Sequence, residues 1–143
     1  MSEQQLQGFD ELSKKLSKLG ATVGGKTLRS ALNAATKPVI TEAKASAPQG
    51  TEPHKTQKGR WVMPGFAARN IRKRSSLSKD KRTATVVIGV IKEALYALLY
   101  LELGTKHIPK RPWLVKSLET KKDEAIKKFG DELTKKIEKE AKK

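Results

Sequence analysis

The 143-residue chain contains no cysteine. It can form no disulfide framework, present no thiolate nucleophile and build no cysteine-based zinc site, so its stability has to come from packing or assembly. Histidine is nearly as scarce: His54 and His107 lie far apart, with no acidic cluster beside either and without metal-ligand spacing. A histidine acid/base site would also want a nucleophile or carboxylate nearby, and the sequence nominates none. Both read as loop or elbow residues, and no catalytic residue, metal or cofactor is expected. No apolar run approaches the ~18 residues of a membrane-spanning helix. The opening Met1-Ser2-Glu3-Gln4-Gln5 lacks the basic, apolar and small-residue order of a signal peptide, and the protein is expected to stay in the cytoplasm in which it is made. Acidic residues are also in short supply, at 15 against 31 basic ones.

That imbalance leaves a formal charge of +16, which works against compactness and attracts polyanions. The length predicts a single domain over 1–143. The charge is unevenly spread. Residues 53–83 hold Lys55, Lys58, Arg60, Arg69 and Arg72, then Lys73, Arg74, Lys79, Lys81 and Arg82, opposed by Asp80 alone, a net of +9. Residues 116–143 hold ten lysines against seven carboxylates, a net of +3, and read as a solvated helix surface. The middle of the chain is therefore the expected contact for DNA or an acidic partner.

Phe9, Leu12, Leu16 and Leu19 recur at helical spacing and predict a first helix over 9–19. Leu28, Ala31, Leu32, Ala35, Val39 and Ala43 mark a second, alanine-rich helix with Pro38 as a kink, ended by Pro48. Its small residues allow close approach of another element, from inside the fold or from a neighbouring subunit. Residues 48–66, rich in Pro and Gly, read as an extended basic loop. Residues 69–76 and 82–91 read as two antiparallel strands, the second alternating Thr83, Thr85, Val87, Gly89 against Ala84, Val86, Ile88, Val90. A short apolar helix over 93–103 and a long one from Pro112 to about 141 follow. The long helix carries Leu114, Leu118, Ala125, Ile126, Phe129, Leu133 and Ile137 on one side, is weakened but not ended by Gly130, and frays over 139–143. The expected class is α+β: two N-terminal helices, a small antiparallel sheet, a short helix, and the long C-terminal helix packed on the sheet.

Gly20-Ala21-Thr22-Val23-Gly24-Gly25-Lys26-Thr27 matches the phosphate-binding pattern G-x-x-x-x-G-K-T. That loop works by following a buried strand, and here an amphipathic helix precedes it. With no apolar strand ending in an aspartate to hold magnesium, the segment reads as a glycine-rich linker between two helices rather than an NTPase site.

The most informative stretch is Tyr100-Leu101-Glu102-Leu103-Gly104-Thr105 followed by Pro109-Lys110-Arg111-Pro112-Trp113-Leu114. It reads as a helix closed by a left-handed glycine cap, a stiff basic elbow, and a new helix with Pro112 as its first residue. A carboxylate among leucines must be paired or hydrogen-bonded, and Thr105, Lys106, His107 and Arg111 are the nearest partners for Glu102. A structural tether is the preferred reading, with a direct inter-subunit contact as the alternative. Trp61, set among cations in the loop, can stack on a base, anchor a protein interface, or fold back over the core. Trp113 reads as core or subunit contact, its indole N–H in need of a partner.

The order of these pieces resembles the gene-product-ten-like tail-completion or neck proteins of lambdoid and related long-tailed phages. The likeness rests on Gly8-Phe9-Asp10-Glu11-Leu12, on Ala34-Ala35-Thr36-Lys37-Pro38-Val39 through Ala47-Pro48, on Asn70-Ile71-Arg72 and Thr85-Val86-Val87-Ile88-Gly89-Val90, and on the Leu-Glu-Leu-Gly-Thr elbow with its Pro-x-x-Pro-Trp-Leu exit. The chain departs from the pattern between Pro48 and Phe66, where it inserts the basic Pro/Gly/Trp loop.

The resemblance implies a structural virion protein of the head–tail junction, present in the host cytoplasm during assembly, without catalysis. It also implies a homo-oligomeric, sixfold ring docked to head-closure, tail-terminator or tail-tube proteins around the DNA channel. Closing such a ring needs two complementary faces. The candidates for subunit or partner contact are Leu28, Leu32, Trp61, Tyr100, Glu102, Gly104, Thr105 and Trp113. Six subunits would carry about +96, while a ring ~40 Å tall faces only some two dozen phosphates at one charge per ~1.7 Å. Part of the basic block is therefore expected to meet acidic surfaces of adjoining rings and part the channel. The alternative is a small basic nucleic-acid-binding protein.

Overall fold

The structure, a computed structural model, describes residues 3–50, 52–55 and 58–143. Its elements are α1 (Glu3–Lys18), α2 (Ala21–Ala35), α3 (Lys37–Ser46), β1 (His54–Lys55), β2 (Trp61–Val62), α4 (Phe66–Arg69), β3 (Ile71–Leu77), β4 (Ala84–Val90), α5 (Lys92–Leu103) and α6 (Leu114–Ala141). The class is α+β, with two separate two-stranded sheets, β1-β2 and β3-β4. The chain forms two compact units: Met1–Pro38 with Arg74–Val87 and Asp123–Lys143, and Val39–Lys73 with Ile88–Lys122.

In the first unit, α1 and α2 close a core in which Ala31, Leu133 and Ile137 are buried, with Leu12, Leu16, Leu19 and Phe129 packed against them. The Phe9 and Phe129 rings lie 5.8 Å apart, and α6 runs uninterrupted through Gly130, where an added Cβ would make only ordinary contact with the Phe9 ring at 3.8 Å. The small residues of α2 thus serve packing inside the chain. α1 begins well before residue 9, because Glu3 in its first turn and Lys15 and Lys18 in its last suit the helix dipole along the whole span.

Two expectations for this region are corrected. The segment 20–27 is not a linker: the chain turns helical at Ala21, directly behind Gly20 at φ 78°. Its two central glycines are contact points. A Cβ on Gly24 would lie 3.0 Å from the Leu16 carbonyl oxygen of α1, and one on Gly25 would lie 2.7 Å from that of Lys81 in the β3-β4 turn. The expected kinked helix is two helices, because Pro38, at the second position of α3, has no N–H to donate and crowds the carbonyl four residues back. Thr36 closes α2 there, its hydroxyl donating to the Asn33 carbonyl at 2.8 Å.

The tip of the β3-β4 hairpin docks on α2 in the same unit. Arg29 donates through Nε to Ser75 Oγ (2.8 Å) and through its guanidinium to the Ser75 carbonyl (3.1 Å), while Asn33 donates to Ser75 Oγ (3.0 Å). Lys81, at φ 61°, reaches Thr22 Oγ1 with its ammonium at 2.9 Å. Bonds from Ser78 N to Thr83 O and from Ile91 N to Asn70 O close the two ends of the hairpin. The alternation expected for the second strand holds as far as Ile88, with Ala84, Val86 and Ile88 half-buried and Thr83, Thr85 and Val87 exposed, and is lost at the end of the strand, where Gly89 is half-buried like Val90.

The second unit has its own core of Ala43, Ala47, Ala67, Ile71, Ala94, Leu98 and Trp113. The expected featureless loop before it contains β1 and β2, paired antiparallel with His54 opposite Val62 and Lys55 opposite Trp61, and ends in α4. The hydroxyls of Ser46 on α3 and Ser117 on α6 meet at 3.0 Å beside this core.

Candidate functional site

The joint between α5 and α6 is built from one carboxylate and one glycine. Glu102 stands in the last turn of α5, and its Oε2 accepts hydrogen bonds from the amides of Trp113 (2.9 Å) and Leu114 (3.1 Å), while Oε1 accepts from Val115 (2.8 Å). These are amides that the start of α6 leaves without helical partners, and the positive end of the helix dipole lies there too. Glu102 thus caps a helix that begins a dozen residues later, in place of the expected partners Thr105, Lys106, His107 and Arg111. Thr105 works beside it: its Oγ1 accepts from the His107 and Ile108 amides, and its own amide donates to the Ile108 carbonyl at 2.8 Å.

Gly104 adopts φ 74° and ψ 162°, not the left-handed helical cap but a region essentially restricted to glycine. A Cβ there would stand 3.0 Å from both N and Cβ of Lys110, so a side chain at this position would require the Lys110 backbone to shift. The Arg111 amide completes the turn by donating to the Leu101 carbonyl at 2.7 Å. Pro112 lies before the helix, which starts at Leu114, and the Trp113 carbonyl accepts the first helical bond from Ser117.

Trp113 is buried, 6 % exposed, and its Nε1 has no partner among the described residues. What faces solvent at the joint is a different set. Tyr100 is 47 % exposed, Leu103 65 %, and Leu118, expected on the buried stripe of α6, is 52 % exposed. Leu28 and Leu32 are half-buried on α2, away from these residues in sequence and in the other unit.

Several cations of the basic block are engaged within their own loops. Lys55 lies over the Trp61 ring at 4.9 Å, and Arg60 faces the Phe66 ring at 6.0 Å. Arg69 donates to the Pro64 carbonyl at 2.8 Å, and Arg72 donates to the carbonyls of Arg69 (2.9 Å) and Ile71 (3.1 Å). Together with Lys81 on Thr22, these cations help to hold their own loops. Lys58, Lys73, Arg74, Lys79 and Arg82 are exposed. Trp61 is 58 % exposed, its ring paired with Lys55 on the small hairpin. In the β3-β4 turn, the Ser78 hydroxyl and the Arg82 amide donate to Asp80, holding its carboxyl below the usual aspartate range.

His54 and His107 are both exposed, one on β1 and one in the elbow turn. Among the described residues no group of three or more His, Asp or Glu could hold a metal ion, and no helix is long and apolar enough to cross a membrane. Sequence reasoning missed the three amides that Glu102 binds, because backbone donors carry no sequence signal beyond the proline that precedes them. The two packing roles of Gly24 and Gly25 were hidden by a motif they match by coincidence.

The joint is thus a capped, glycine-hinged turn with exposed leucines on a small basic α+β chain. Residues 10–104 match the family described as "Bacteriophage HK97-gp10, putative tail-component", and the chain belongs to it. The match ends at the elbow glycine, so α6 lies beyond it. No curated protein and no solved structure matches the chain.

Proposed function

We propose that this protein is a structural component of a tailed-phage virion at the head–tail junction, a tail-completion or neck protein that acts by assembling. It forms a closed ring of its own copies, six by the family resemblance, and docks to adjoining head-closure, tail-terminator or tail-tube proteins around the DNA channel. The observation that carries the reading is the family match, whose residues include all of α5 and stop at the joint with its exposed apolar side chains. A ring needs two different complementary faces, for which the half-buried Leu28 and Leu32 of α2 are candidates, and docking to an adjoining protein needs a further surface, for which the elbow is the candidate. Exposed cations such as Lys58, Arg74, Lys79 and Arg82 are available to channel DNA or to acidic surfaces of neighbouring rings.

The test is removal of the gene from the phage and electron microscopy of the lysate. Filled heads lying separate from tails support the reading, and normal virions overturn it. The second reading, a free-standing nucleic-acid-binding protein, has the exposed Trp61 on its basic hairpin in its favour. It requires a monomer or dimer that holds duplex DNA with a steep salt dependence, whereas a neck protein forms rings or binds a partner ring and holds DNA weakly.

A further inference from the structure

The elbow leaves several large apolar side chains about half exposed. Leu103 lies four residues after Leu99 and three after Tyr100, so the three share one side of α5, and they are 38 %, 47 % and 65 % exposed for Leu99, Tyr100 and Leu103 in turn. Val115 and Leu118, three apart at the start of α6, are 50 % and 52 % exposed. The Val115 amide is bonded to Glu102, so both sets belong to the same joint. A single exposed leucine is ordinary, but five large side chains on two elements tied together by a carboxylate mark a docking surface.

The charge around them selects the occupant. Lys106, Lys110, Arg111 and Lys116 are all exposed in this segment. Glu102 is committed to three backbone amides and offers them no compensation. A second copy of the chain, at +16, is repelled by this rim as a whole. Every helix except α5 is neutral or net positive in sequence, and the surplus carboxylate of α5 is Glu102 itself. Like charges opposed across an interface cost affinity, whereas complementary ones fix partner and register.

We propose that the α5–α6 elbow docks a different virion protein, through a segment that sets an apolar face between flanking Asp or Glu side chains. The proposal rests on the virion role above and adds to it which surface is used and what chemistry recognises it. Leu103 and Leu118 insert into the partner's apolar face, and the four cations meet its carboxylates at the rim. Gly104 and Glu102 act at one remove, by holding the two apolar sets in a fixed relation.

The experiment places the photoreactive amino acid p-benzoylphenylalanine at position 103 or 118 of the full chain, in a phage carrying no other copy of the gene. Purified virions are irradiated and the cross-linked peptides sequenced. Cross-links from both positions to one acidic, apolar segment of another virion protein are expected. That segment, made as a synthetic peptide, should lose at least tenfold in affinity for the purified chain with Leu103→Ser or with Lys110→Glu plus Arg111→Glu. A twin peptide with lysine for every acidic residue should bind no better than those variants. Cross-links to a second copy of this chain, to nucleic acid or to nothing overturn the proposal, as does peptide binding indifferent to the substitutions. Absence of the chain from purified virions sinks the virion role as well, whereas presence with cross-links elsewhere sinks this inference alone.

Discussion

Glu102 does in one side chain what a helix start usually asks of its own N-cap residue, and it does so from the end of the preceding helix. Three amides share its two oxygens, and charge-assisted bonds of this kind are stronger than neutral ones. Losing such a cap costs roughly 0.5–2 kcal/mol, and a favourable charge at a partly buried helix end up to ~2 kcal/mol. Glu102→Ala is accordingly expected to destabilise the chain by about 2 kcal/mol in urea denaturation followed by circular dichroism. Glu102→Gln should recover only part of this, since its amide nitrogen turns a donor toward donors. Gly104→Ala tests the other half of the joint: its φ and the backbone of Lys110 at 3.0 Å should together cost about 1–3 kcal/mol by the same measurement. Asp80 gives a pH dependence of known sign. The Ser78 hydroxyl, followed by the Arg82 amide, lowers its pKa on folding, so the folded chain holds this proton less tightly than the unfolded one. Its contribution is present above the ordinary aspartate pKa and is lost as pH falls through the lowered value. A titration of the Asp80 carboxyl by NMR should find a midpoint below that of an unstructured aspartate, and Ser78→Ala should move it back up.

The helices show most directly what a sequence pattern carries and what it leaves out. α5 was readable to within a residue because its apolar run stops at a glycine, and β4 because its alternation matches a half-buried strand. α2 was misread at both ends. The pair Gly24-Gly25 reads as a break, since glycine weakens a helix by about 1 kcal/mol relative to alanine. Here that local cost is offset by tertiary contact: one glycine admits the α1 backbone and the other the β3-β4 turn. The β1-β2 pair was invisible because two residues per strand are too few to show a period. At the joint, the sequence marked Glu102 and Gly104 as special but could not show that the carboxylate points forward along the chain to α6. Three glycine-to-alanine changes separate propensity from packing. Gly8, in α1 with nothing within 4 Å of an added Cβ, should stabilise by about 1 kcal/mol on replacement. Gly25→Ala meets backbone at 2.7 Å and should destabilise by about 1–3 kcal/mol despite the same gain in propensity. Gly24→Ala, at 3.0 Å from the Leu16 carbonyl, should fall between them in thermal melts.

At the scale of the whole molecule, the question is what a charge of +16 does to a chain of 143 residues. Several cations are occupied at home, in contacts to carbonyls, a hydroxyl and aromatic rings, and these leave their positive charge unneutralised. Such contacts fix loops without relieving repulsion between them. Two opposite dependences on salt follow from the two ways charge can act. Where exposed ion pairs dominate, screening removes attraction and stability falls; where net repulsion dominates, screening removes repulsion and stability rises. Exposed pairs contribute about 0–1 kcal/mol each, so the excess of 31 cations over 15 anions should prevail. The melting temperature is therefore expected to rise as sodium chloride is increased from about 20 mM to about 300 mM, over which the Debye length shortens several-fold. The same titration with a duplex DNA probe present should show binding that weakens as the protein itself becomes more stable, because released counterions drive the first effect and relieved repulsion the second. A melting temperature that fell with salt would mean that specific pairs, and not the surplus charge, govern the chain's stability before it meets its partners.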